Sequence, residues 1–67
     1  MNNKYTVWYI GHGDNILAFA DFNLLNKAIA DAIYWLNNES TKCKISEIEI
    51  QDNETYNVIC RFPGKEC

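Results

Sequence analysis

From Leu24 to Asn37 the apolar residues Leu25, Ala28, Ile29, Ala32, Ile33 and Leu36 recur at spacings of three and four. In the flanking segments the spacing is two. This double change of period constrains the chain more than any other feature. Spacings of three and four align side chains along one face of an α-helix, and a spacing of two aligns them on one face of a strand. Lys4 to Ile10 (KYTVWYI) and Asn15 to Asp21 (NILAFAD) precede the helical segment, and Ile45 to Gln51 and Thr55 to Phe62 follow it. A chain of 67 residues holds one domain with one small core. The expectation is therefore an α+β fold in ββαββ order, a single small domain over residues 1–67. It is ordered over 4–62, with 63–67 as a tail. Its four-stranded antiparallel sheet carries one helix packed on one face.

Turn residues set the expected pairings. Gly11-His12-Gly13-Asp14-Asn15 is a dense turn signal. If these five form the loop, Ile10 faces Ile16, Trp8 faces Ala18, Val7 faces Phe19 and Tyr9 faces Leu17. One face of this hairpin then holds Val7, Tyr9, Leu17 and Phe19. The other holds Thr6, Trp8, Ile10, Ile16, Ala18 and Ala20, so both faces are apolar. In the second hairpin, apolar residues meet if Ile50 faces Tyr56 and Ile48 faces Val58 across an odd loop centred on Asn53. Cys60 then faces Ser46. Asn23 is the expected helix N-cap, with Asp21 as alternative, and Asn37 or Asn38 would supply a left-handed C-terminal cap. Pro63-Gly64 ends the last strand. The expected core is Val7, Tyr9, Leu17, Phe19, Leu25, Ile29, Ile33, Leu36, Ile48, Ile50, Tyr56, Val58 and Phe62.

Composition narrows the function classes. The 48% hydrophobic content and net charge of −3 exclude a disordered chain. Nine acidic against six basic residues argue against direct binding to a duplex backbone, which needs a surplus of Lys and Arg. No apolar run approaches the ~18–20 residues of a membrane span, and the opening residues lack a leader pattern, so a cytoplasmic protein without membrane contact is expected. Cys43, Cys60 and Cys67 are an odd set without a CxxC, which reads as three free thiols in a reducing compartment. A zinc site would need all three plus His12, with no paired spacing, so no metal is expected.

No catalytic constellation is present. His12, between two glycines at a loop tip, has no acid or nucleophile placed beside it by the sequence. Gly11-His12-Gly13 lacks the third glycine and following helix of a phosphate cradle. No catalytic residue and no cofactor are expected, and the chain reads as a non-enzyme. The uncovered sheet face would carry Trp8, Ile10, Ile16 and Ile59, flanked by Glu47, Glu49, Asn57 and Arg61. An exposed Trp–Arg cluster has the composition of a binding surface. With the loop around His12, this face is the candidate partner site. The expected partner is a larger protein or nucleoprotein complex with a basic surface. The chain would act on it as a stoichiometric inhibitor encoded by a phage or mobile element. A homodimeric regulator of antitoxin type is one alternative. A small acidic nucleic-acid mimic using Glu47, Glu49, Asp52 and Glu54 is another. Tyr34 and Trp35 on the helix form a second candidate surface, although Trp35 at helical spacing fits the core edge.

The segment YTVWYIGHGDNILAFAD followed by NKAIADAIYWL resembles the HicB antitoxin family, in which a short hairpin precedes an Ala-rich helix. The resemblance covers about half the chain and lacks the central Pro-Gly-Cys-type segment of that family. The overall layout is similar, by size and architecture only, to small phage proteins that inhibit bacterial defence systems, such as some anti-CRISPR proteins.

Overall fold

The computed structural model describes residues 3–65. It is an α+β domain with four strands, β1 (Tyr5–Gly11), β2 (Ile16–Phe22), β3 (Ile45–Asp52) and β4 (Asn57–Pro63), and one helix, α1 (Leu25–Asn37). All strand pairs are antiparallel and the sheet order is β2-β1-β3-β4. The expected class and element order are therefore present. The first and third strands lie at the centre, so the fold is closed by a long-range β1–β3 pairing and not by two hairpins alone.

The core lies between α1 and one sheet face. Val7, Tyr9, Ile45, Ile48 and Ile50 from the two central strands meet Ala28, Ala32 and Leu36 from the helix. Tyr5, Ala20, Phe22, Leu25, Ile29, Trp35, Cys60 and Phe62 pack around them, half-buried. Small residues decide how the layers approach. Ala28 and Ala32 are fully buried, and Ala20 faces them from β2, so the helix backbone settles close to the sheet. The helix is rotated toward Trp35, and this leaves Ile33 exposed instead of buried as expected.

Each strand pair contains one bulge, and the bulges correct the expected registers. In β1–β2 the Ile10–Ile16 pair is as expected. The extra residue Leu17 then shifts the rest by one, so Trp8 faces Phe19, Tyr9 faces Ala18 and Val7 faces Ala20. Phe19 leaves the helix side and is exposed, while Ala18 and Ala20 replace it there. Leu17 also stays exposed, lying over Gly11, where an added Cβ would come within 2.9 Å of its Cδ2. In β3–β4, Ile50 faces Cys60 and Ile48 faces Phe62. The expected pairing of Ile50 with Tyr56 is overturned. Tyr56 belongs to the turn, with φ of 61°, and is exposed, and Val58 pairs with Gln51 outside the core.

Termini and turns also depart from expectation in detail. Leu24, in extended conformation, occupies the N-cap position without a side-chain hydrogen bond, so neither Asn23 nor Asp21 caps the helix. Asn38 is extended and not left-handed, and the Thr41 hydroxyl donates to the Trp35 carbonyl at 2.8 Å near the helix C-terminus. Pro63 pairs with Glu47, and the Gly64 N–H donates to Ser46 at 2.8 Å, so the last strand runs past the expected boundary at 62. A Cβ at position 64 would collide with the Ile45 carbonyl oxygen. Gly64→Ala is expected to release this end of β4 and cost about 1–2 kcal/mol, the scale of one lost backbone hydrogen bond plus local strain. Urea titration followed by circular dichroism checks it. An unchanged midpoint would contradict the close approach.

Cys43 is disulfide-bonded and Cys60 is a free thiol. The expectation of three free thiols is thus corrected at Cys43, while Cys67 lies outside the described residues. Disulfides persist in oxidising compartments. The cysteine pattern therefore no longer argues for a reducing cytosol. Among the described residues no helix is long and apolar enough to cross a membrane.

Candidate functional site

Alternation along β1 places Val7 and Tyr9 under the helix and sends Thr6, Trp8 and Ile10 to the other face. The registers then fix what surrounds them. Phe19, Trp8, Glu49 and Arg61 form one row across all four strands. Ile16, Ile10, Glu47 and Pro63 form the row beside it, and Asp21, Thr6, Gln51 and Val58 the row on the other side. The face away from the helix is thereby divided. Its β1–β2 half is aromatic and aliphatic, and its β3–β4 half is charged.

The apolar half centres on Trp8. Its ring packs against Phe19 at a centroid separation of 5.3 Å, within the range of favourable aromatic pairs. Its indole N–H donates to Gln51 Oε1 at 3.0 Å, which fixes the ring across two strands. Phe19 remains 60% exposed and Ile16 55%. Sequence reasoning placed Phe19 in the core and overlooked Gln51. The bulge at Leu17 is what brings Phe19 to this face.

In the charged half, Arg61 Nε lies 3.3 Å from Glu49 and 4.0 Å from Glu47. One guanidinium thus balances two carboxylates and leaves one net negative charge. The pairs are exposed and contribute little to folding. What they do is hold the Arg61 side chain over the sheet. Ile59, the extra residue of the β4 bulge, is exposed beside Val58. His12 does not join these rows. It lies at the loop tip, with Nε2 3.1 Å from the Cys43 carbonyl, so in that contact the ring nitrogen donates. Six of the eight expected site residues therefore share two adjacent rows, Ile59 sits at their edge, and His12 stands apart in the β1–β2 loop, against the loop joining α1 to β3.

A polar network ties these rows to the turn before β4. The Thr6 hydroxyl donates to Asp21 at 2.7 Å and accepts from Asn53 Nδ2 at 2.9 Å, while the Asn53 backbone N–H donates to the Lys4 carbonyl at 2.8 Å. Thr6 is nearly buried with both capacities used, so the network costs no unpaired group.

On the other side of the sheet, a groove of about 500 Å³ opens between β2 and α1, lined by Tyr9, Leu17, Ala18, Asp31 and Trp35 among others. The Tyr9 hydroxyl donates to Asp31 there. Burial raises the Asp31 carboxyl above its usual range, and hydrogen bonding from Trp35 offsets part of this. The folded chain consequently holds that proton more tightly than the unfolded chain. Stability is expected to fall as pH rises from the unfolded value through the raised folded one. Asp31→Asn, which still accepts from Tyr9, should flatten this slope. Thermal melting of both proteins across acidic pH reads the difference. Parallel curves would contradict the burial of the carboxylate.

Among the described residues, no group of three or more His, Cys, Asp or Glu side chains is arranged to hold a metal. No protein-family model, curated protein or solved structure matches the chain.

Proposed function

We propose that the chain is a non-enzymatic protein-binding module that docks the sheet face opposite α1 onto a larger protein. The observation that carries this is the row Phe19–Trp8–Glu49–Arg61, an aromatic pair continuing into an ion-paired cluster on one surface. Trp and Arg are the residues most enriched among binding hot spots, and apolar centre beside charged rim is the common anatomy of an interface. Trp8 and Phe19 are the apolar anchors, with Ile10 and Ile16 extending them. Glu47 and Glu49 outnumber Arg61, so the matching surface is apolar with a basic margin. A chain of this size with such a face acts by occupying a surface, as a stoichiometric inhibitor does. A nucleic-acid mimic is the weaker reading, because Arg61 engages two of the four carboxylates it would need.

Affinity capture from cells of the source organism, with Trp8→Ala bait as control, tests the proposal. A protein retained by the native chain in a stoichiometric complex and lost with the variant supports it. Equal retention by both baits overturns the assignment of this face.

A further inference from the structure

The two edges of the sheet differ. β4 carries a bulge, ends in Pro63 and holds Arg61 over its face, all of which hinder the addition of another strand. β2 shares only the first of these, the bulge at Leu17 near its start, and from Ala18 to Phe22 it runs without interruption. Its outer backbone edge is unpaired in the sheet order, it contains no Pro, Lys or Arg, and Asp21 is its single charge. It also carries Ile16, Leu17 and Phe19, each at least half exposed. The acidic residues Glu47, Glu49, Asp52 and Glu54 lie on β3 and the turn after it, with β1 between them and β2, so four of the nine acidic side chains stand away from this edge.

We infer that β2 pairs with β2 of a second copy of this chain, antiparallel, about a two-fold axis through Phe19. The strand is self-complementary in that register over its middle: Phe19 meets Phe19 of the second copy on the face away from the helices, and Ala18 meets Ala20 on the helix side, while the bulge at Leu17 ends the same-face matching before Ile16. Asp21 falls opposite Leu17 and no like charges face each other. The small alanines leave room for the two helices, and the two sheets become one of eight strands with β4 at both ends. The aromatic row then runs Trp8, Phe19, Phe19, Trp8 across the axis. This pairing uses the β2 edge and shares only Phe19 with the proposed binding face, leaving Trp8, Ile10 and the charged half open. It can fail while the partner-binding proposal stands, and the reverse.

Sedimentation velocity over a concentration series is the test. The native chain is expected to reach about twice its 7.8 kDa mass in the micromolar range. Phe19→Lys places two cations across the axis on an exposed site that the fold tolerates, and should weaken association at least 100-fold with an unchanged circular-dichroism spectrum. Val58→Lys, beside the β4 edge, should leave association intact. Hydrogen exchange of the native chain gives an independent reading: β2 amides directed away from β1 should gain protection as concentration rises. A monomer at every concentration overturns the inference. So does a dimer indifferent to Phe19→Lys, or one lost only with Val58→Lys. A dimer lost with Trp8→Ala but kept by Phe19→Lys would mean that two faces, and not two edges, meet.

Discussion

Ile50→Ala is expected to lower the stability of the domain by about 2–5 kcal/mol, the range for truncating a fully buried branched side chain. Ile50 is fully buried on a central strand, between Val7 of β1 and Cys60 of β4 and beneath the helix. Truncation removes apolar contacts and leaves a space that the rigid strands on both sides cannot close. A domain of this length has a total stability of roughly 3–10 kcal/mol, taking about 0.05–0.15 kcal/mol per residue. One such change therefore consumes a large share of it. Phe19→Ala is the informative comparison. With Phe19 on the outer face the loss should stay below about 1 kcal/mol in dilute protein, where association does not contribute. Urea titrations of both variants decide the matter. Equal large losses would place Phe19 back in the core and undo the register of β1–β2.

That comparison also marks what the sequence could and could not tell. The switch of period at Leu24 made the element order legible, because helix and strand spacings are physically incompatible over a dozen residues. The alternation of Ile48 and Ile50 identified the inward face of β3 for the same reason. Register was not legible. A period-two pattern is unchanged by any even shift, so Ile50 opposite Tyr56 and Ile50 opposite Cys60 satisfy it equally. The turn that chooses between them places Tyr56, not a glycine or asparagine, at positive φ, and such a turn leaves no mark in composition. Bulges are hidden likewise. Leu17 looks like any strand residue, yet it moves Phe19 from one face to the other. Ala18 and Ala20 were the available clue. Two small residues on alternate positions fit the closely approached helix side better than the large Leu17 and Phe19 do. The position of Trp8 on the outer face does not depend on register, because β1 sends it outward whichever residue of β2 lies beside it.

Trp8→Ala is expected to weaken partner binding by at least 30-fold, equivalent to about 2 kcal/mol, the threshold of a hot-spot residue. The folded chain should survive it. Trp8 lies on the face away from the helix, outside the cluster that closes the core, and its partners there are Phe19 and Gln51. Deleting the ring leaves the Gln51 amide exposed to water, so no buried polar group is stranded. The cost in stability should therefore stay near 1–2 kcal/mol, from the lost aromatic pair and hydrogen bond. Trp8→Phe separates the two contributions. It keeps an aromatic surface against Phe19 and removes the indole N–H, so Gln51 no longer fixes the ring. If the anchor works by apolar contact, Phe should recover most of the affinity. If the ring must be held in place by Gln51, Phe and Gln51→Ala should show similar partial losses. Calorimetric titration against the captured partner reads all three variants, with melting curves of the free chains alongside. Trp8→Ala unfolding the chain with the force of Ile50→Ala would show that the indole is structural. The open face would then lose its central anchor.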